Sequence, residues 1–279
     1  MSIELGFTGK VQDLPIDEYH ALPHLSASSC GKLAVSPAHY VLYRASFDAA
    51  KSEPLRVGSA VDLMVLEPHL VSRMIPMAPD CAKRSDAEKA RWKAFRESIP
   101  RGGVEVNAKE RAIAERVAAN VLSSRLVTEA GMIDGERQTS LFCTIDTDEG
   151  PAHLRCRPDV LSEPGRFITD LKSAEQADPA WFSQSAAKFG YYRSAAFYLL
   201  VAAKCGSEAD EFFLLVGGKS ENGGVTAFHY DEEALAQGHR EVMRAATIWA
   251  KCHRTGEWPG LETLGLNTLS LPKWRLDQE

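Results

Sequence analysis

Arg157-Pro158-Asp159, followed after ten residues by Asp170-Leu171-Lys172, decides the reading of this chain. Ala152–Leu161 and Arg166–Lys172 read as strands joined by a turn at Glu163-Pro164-Gly165. Folded back across that turn, Asp159 and Asp170 face each other near the open end of a hairpin. Period-2 alternation puts Ile168, Asp170 and Lys172 on one face of the second strand and Phe167, Thr169 and Leu171 on the other. Two carboxylates and one ammonium then converge at the end of a sheet. Opposed carboxylates repel unless a cation sits between them, and hard oxygen ligands favour Mg²⁺ or Mn²⁺. A metal so held polarises a phosphate and lowers the pKa of water, while the neighbouring lysine orients that water or stabilises developing negative charge. The same residues also suit an ordinary surface hairpin with an Asp–Lys ion pair, and the stretch alone leaves both readings open.

Outward from the hairpin, Gln138–Asp146 reads as a preceding strand, with Thr147-Asp148-Glu149-Gly150 as the turn. Asp178-Pro179 has the form of an N-cap with proline at the first helical position. The apolar helix Tyr191–Lys204 follows and ends at Gly206. Strands Glu211–Val216 and Val225–Tyr230 flank a glycine-rich turn, and Asp231 caps a final helix to about Arg254. Upstream, Asn107 caps a long helix, Ala108–Ala130, ending at Gly131. In Arg56–Leu66, Val57, Ala60, Val61, Met64 and Val65 fall at helical spacing. Ser26 or Ser28 starts a helix that stops near Ser36-Pro37, and Ala38–Ala45 is the next. Residues 1–25 read as an irregular arm. This order implies an α/β fold with helices packed on a mixed sheet.

The 279 residues are 44% hydrophobic and 25% charged, enough for a real core. No run approaches the roughly 18 apolar residues of a membrane span, and the start lacks a secretory signal; the expected location is cytoplasmic. Cys30, Cys81, Cys143, Cys156, Cys205 and Cys252 lie far apart, without a C-x-x-C pair. They read as reduced thiols, with no set for a zinc ribbon or an iron–sulfur cluster. The formal charge of −6 argues against coating nucleic acid by global charge, but a local basic groove is compatible with it. Lys83, Arg84, Lys89, Arg91, Lys93 and Arg96 form the most basic stretch, either a solvated face or a DNA-facing flap. Gly217-Gly218-Lys219-Ser220 is better read as a turn than a phosphate-binding loop, because Phe213 stands where the first glycine would be. A nucleophile elbow and H-E-x-x-H are both absent.

Several stretches resemble RecE-type exonucleases, the exonuclease VIII group of the PD-(D/E)XK nuclease superfamily. They are His24-Leu25-Ser26-Ala27-Ser28-Ser29 with Ser36-Pro37-Ala38-His39-Tyr40, and Gly58 through Pro68. Arg155 through Asp159, Thr169 through Ser173, Tyr191 through Tyr198, and Leu271-Pro272-Lys273-Trp274 complete the set, in collinear order from about residue 20. The resemblance implies a restriction-endonuclease-like PD-(D/E)XK core, a central mixed β-sheet flanked by helices. Residues 26–279 would be one nuclease domain, with a helical part (26–130) and a catalytic core (131–257). It implies Asp159 and Asp170 as metal ligands, the Leu171 carbonyl as a backbone ligand and Lys172 as the catalytic lysine. Glu136 stands where the family often has an acid, although a solvated loop glutamate reads equally well. Tyr191 and Tyr198 would support the site.

Two positions depart from the pattern. Asp62 replaces the usual histidine of G-x-x-x-H; it can ligate a hard cation but adds charge and has less reach. Ser194 replaces the glutamine of Q-x-x-x-Y, keeping a shorter donor. The implied activity is Mg²⁺-dependent digestion of linear duplex DNA from a 5′ end, with Mn²⁺ able to substitute. The 3′ overhang would pass to a single-strand annealing protein, and a homo-oligomeric ring around DNA is expected. The alternative is a degenerate nuclease fold serving as a DNA-binding or assembly subunit, with Asp62 and Ser194 as its motive.

Overall fold

The computed structural model describes residues 3–46, 52–163, 165–266 and 268–271. Pro164 of the expected turn, and residues 272–274 of the C-terminal motif, lie outside them. In chain order, β1 (Gly9–Val11) and α1 (Ile16–Ala21) precede α2 (Ala27–Val35), α3 (Pro37–Ala45) and α4 (Glu53–Leu66). α5 (Val71–Met74), α6 (Asp86–Ser98), α7 (Ala108–Ser123) and α8 (Arg125–Thr128) follow. Then come β2 (Gly135–Arg137), β3 (Ser140–Thr147), β4 (Gly150–Cys156), β5 (Val160–Ser162) and β6 (Phe167–Ala174). α9 (Pro179–Phe189), α10 (Tyr191–Lys204), β7 (Glu211–Gly218), β8 (Val225–His229) and α11 (Glu232–Thr255) complete the order.

The strands make two sheets. One is antiparallel, in the order β1-β3-β4; the other is mixed, β2-β5-β6-β7-β8, with β6 and β7 parallel. Where the sequence pattern predicts continuous strands over 138–146 and 152–161, the chain changes sheet in both. Gln138 takes a φ of 52° between β2 and β3. Pro158, which has no amide to donate to a ladder, stands between β4 and β5. The two crossings touch, since the Gln138 amide donates to the Asp159 carbonyl at 3.2 Å.

The mixed sheet separates two apolar cores. Ile168, Phe212, Leu214 and Val216 face one, with α2, α10, α11 and the antiparallel sheet. Leu171 and Leu215 face the other, beneath α4 and α7. α10 lies close to α11 because position 238 is glycine: a Cβ there would stand 2.5 Å from the Tyr192 carbonyl oxygen.

Two further expectations are corrected. Residues 1–25 contain β1 and α1, which gain their form from long-range partners: Gly9 pairs with Phe142, and Tyr19 is buried beside it. The helix expected over 108–130 breaks at Ser124, whose extended backbone caps α7 and whose hydroxyl donates to the Val121 carbonyl at 2.7 Å. Among the described residues no helix is long and apolar enough to cross a membrane.

Candidate active site

β5 and β6 pair antiparallel with Val160 opposite Thr169 and Leu161 opposite Ile168. One step outward, the same register sets Asp159 against Asp170. The Asp159 carboxylate is gripped on both oxygens: Oδ2 accepts the Leu171 amide at 2.7 Å and Oδ1 accepts the Gln138 side-chain amide at 3.0 Å. Lys172 Nζ contacts Asp170 Oδ2 and donates to the Leu171 carbonyl at 3.2 Å. It also sits 5.7 Å from the Tyr191 ring centre.

The electrostatics follow from this crowding. Burial, then the Asp170 charge, pushes the Asp159 carboxyl above its ordinary range, although Lys172 and the two amide donors oppose the shift. Burial disfavours the Lys172 ammonium, but Asp170, Asp159 and Asp62 together outweigh it and raise its pKa. Asp62 thus acts on Lys172 electrostatically from α4, on the far face of the sheet.

A cavity of about 340 Å³ opens over Asp170 and Lys172, and Gln138, Tyr191, Ser194 and Tyr198 share its wall. α10 brings its three residues there because 191, 194 and 198 lie on one helical face. Glu136 is placed differently. It sits on β2 opposite Leu161, where Lys10 Nζ approaches at 3.2 Å and Gln12 donates at 3.5 Å.

Three further residues build the site without having been assigned a role from sequence. Gln138 fixes Asp159; its only sequence signal is its place just before a strand. Arg157 donates to Ser140 Oγ from Nη2 at 2.7 Å and to the Leu14 carbonyl at 2.7 Å, bracing the segment before Asp159. Arg155, 2% exposed, donates to the His20 carbonyl at 3.2 Å, while its Nε and Nη1 have no hydrogen-bond partner among the described residues. Tyr19 lies between these two guanidiniums, with ring distances of 4.5 and 4.4 Å.

The donor chemistry fits a hard divalent cation. Asp159, Asp170 and the Leu171 carbonyl all offer oxygen, and the Lys172 ammonium already rests on two of those groups as a stand-in charge. Fully ionised, Asp62, Asp159 and Asp170 carry three negative charges against the one positive charge of Lys172. Among the described residues no group of three or more His, Cys, Asp or Glu side chains is arranged to hold a metal.

Residues 26–263 match the profile of DUF3799, described as a PDDEXK-like domain of unknown function. Among solved structures, a candidate exonuclease from Eubacterium rectale aligns at 18% identity with a TM-score of 0.58, over 96% of this chain and 99% of its own. SSO0001 aligns at 10% identity and a TM-score of 0.32, over 72% of this chain and 79% of its own. Rai1 from Scheffersomyces stipitis aligns at 12% and 0.30, over 87% and 69%. These two scores carry no argument. No curated protein matches the chain significantly. The mixed sheet, the antiparallel sheet and their flanking helices form the restriction-endonuclease-like fold.

Proposed function

This chain belongs to the DUF3799 family of PDDEXK-like domains, and on that premise we propose that it is a metal-dependent exodeoxyribonuclease of RecE type. The observation that carries the reading is the convergence of Asp159, Asp170 and Lys172 at one end of the sheet, with Asp170 and Lys172 lining one cavity. A nuclease fold implies a DNA substrate. The finer reading is hydrolysis of linear double-stranded DNA, 5′ to 3′, leaving 3′ overhangs for a single-strand annealing protein in recombination. A homo-oligomeric ring, supported by the family resemblance, and a cytoplasmic setting complete it.

Asp159, Asp170 and the Leu171 carbonyl would hold Mg²⁺, or Mn²⁺ in its place, with Asp62 contributing charge from α4. The bound cation supplies Lewis-acid polarisation of the phosphate and acidifies water. The protein's own residues do the rest. Gln138 and the Leu171 amide hold Asp159 in one orientation, so the carboxylate needs no reorganisation as charge develops. Lys172 keeps its proton, and its ammonium stabilises charge that grows on the phosphate only in the transition state. Tyr191 lies beside the lysine, and Ser194 and Tyr198 line the same wall from α10.

A second reading, a non-catalytic DNA-binding or assembly subunit, is favoured by the aspartate at position 62 and serine at position 194. Incubating the protein with linear and covalently closed duplex DNA, with Mg²⁺ or Mn²⁺ and with EDTA, separates the two. Cation-dependent loss of linear DNA alone supports the exonuclease. No digestion with either cation moves the reading to the subunit.

A further inference from the structure

A second cavity, about 880 Å³, adjoins the first. The two share Ile16, His20 and Arg44, so the second cavity lies beside the one over Asp170 and Lys172 and extends to α6. Five cations, Arg44, Arg56, Lys83, Arg96 and Arg101, line this second cavity against three carboxylates. That excess stands in a chain of net charge −6, so it departs from the composition as a whole.

Each carboxylate already has an arginine: Asp17 pairs with Arg101, Glu105 with Arg96 and Glu110 with Arg56. Arg44 is held by main-chain carbonyls instead, donating to His20 at 2.9 Å and Ala21 at 3.2 Å. Lys83 rests on the face of Trp92, 4.0 Å from the ring centre. The indole, anchored through its N–H to the Cys81 carbonyl at 3.0 Å, fixes that ammonium at the wall. Two charges are thus left without a carboxylate among the described residues. A third is readily released, because Arg101 is 83% exposed and exposed ion pairs are weak.

We propose that this cavity is a track for single-stranded DNA, along which an unpaired strand reaches the Asp170–Lys172 site with its phosphates on Arg44, Lys83 and Arg101. The inference deepens the nuclease reading and rests on it. Cationic walls that follow the backbone are the basis of sequence-independent single-strand binding. An open basic surface would serve a duplex, whereas a walled cavity of this size takes a few unpaired nucleotides. Of the basic segment before and within α6, Lys83 is therefore assigned to the strand rather than to solvent, and the duplex end must fray before hydrolysis.

The test uses the full chain with Lys83→Glu and Arg101→Glu combined, and a milder Lys83→Ala/Arg101→Ala variant in case charge reversal impairs folding. A fluorescent 12-residue oligo-dT is titrated with Ca²⁺ in place of Mg²⁺, and hydrolysis of bis(p-nitrophenyl) phosphate reports on the site itself. Binding should weaken at least tenfold, and the dependence of log K on log salt should fall by about 1.4, from about 0.7 per lost single-strand contact. Hydrolysis of the small phosphodiester should be unchanged. Undiminished oligo-dT binding by both variants, or no binding by the wild type, would overturn the track. So would an equal loss of affinity for a duplex with hairpin-closed ends. If the wild type cleaves neither substrate but oligo-dT binding still depends on Lys83 and Arg101, the track stands and the nuclease reading fails.

Discussion

Gln138 and Asp159 are joined twice, main chain to main chain at 3.2 Å and side chain to side chain at 3.0 Å. The two bonds tie together the places where the chain leaves and re-enters the mixed sheet. Gln138 pays for this position with a left-handed backbone, φ 52°, which costs a non-glycine residue roughly 1–2 kcal/mol.

Gln138→Ala should therefore lower the rate of linear-DNA digestion by about 10- to 100-fold, as loss of a group that orients a metal ligand does. Gln138→Gly should lose the same rate but unfold about 1 kcal/mol later than the alanine variant, because glycine accepts positive φ. Urea unfolding of both proteins checks the second half. Equal stability of the two would mean that the backbone there is not under strain.

The register around this pair is legible in the chain, and the pinning is not. Alternation from Phe167 to Lys172 and a Pro-Gly turn suffice to set Asp159 against Asp170, since a one-residue slip would turn Ile168 and Leu171 out of their separate cores. The change of sheet is hidden because the crossings, Gln138-Thr139 and Arg157-Pro158-Asp159, are too short to interrupt the strand pattern around them. Glu136 could not be resolved from sequence, because its partner Lys10 lies 126 residues away. The N-terminal segment reads as irregular for the same reason: a three-residue strand has no pattern of its own until β3 supplies one. Arg155 gave no signal at all, as burial of a lone arginine depends wholly on tertiary packing.

The Arg56–Glu110 pair should matter more to stability than the exposed pairs. Glu110 is 3% exposed and closes a reciprocal cap with Asn107, each accepting the other's amide at 3.0–3.1 Å. Burial works against its charge, but Arg56 and the Asn107 amide prevail and lower its pKa. Arg56→Ala leaves that charge without its cation and should destabilise by about 3 kcal/mol. The stability that Glu110 contributes is present above the ordinary glutamate pKa and is lost as pH falls through the lower folded value. Chemical denaturation of wild type and Arg56→Ala at pH 7 and pH 3 should show the gap narrowing in acid.

His24 should act in the same direction, as a base held neutral. It is fully buried, neither ring nitrogen has a hydrogen-bond partner among the described residues, and burial followed by the Arg155 charge lowers its pKa to about 4. The unfolded chain takes up a proton near pH 6.5 and the folded chain only near 4, so stability falls as pH drops through that window. The full difference is about 3 kcal/mol at about 1.4 kcal/mol per pKa unit. Against His24→Phe, wild-type stability should lose this amount between pH 7 and pH 4. A constant difference between the two proteins across that range would remove His24 as the cause.

Lys172→Ala separates chemistry from metal binding. In the wild type the ammonium rests on Asp170 and the Leu171 carbonyl, the oxygens a divalent cation would also use. Removing it takes away the ammonium that sits on Asp170 and puts no charge in its place, so the variant should depend more strongly on a cation for its fold. Its Tm should rise further on adding Mg²⁺ than that of the wild type. Digestion of linear duplex DNA should nevertheless fall about 10²–10³-fold, roughly 3–4 kcal/mol, the effect of losing one preorganised donor to transition-state charge. Asp170→Ala should differ, losing both the rate and the Mg²⁺-dependent rise in Tm, since it removes a ligand. Rates with Mg²⁺ and Mn²⁺ on free and blocked 5′ ends, alongside thermal unfolding, check both variants. Equal digestion by wild type and Lys172→Ala would place the hydrolysis elsewhere in the protein or in a contaminant.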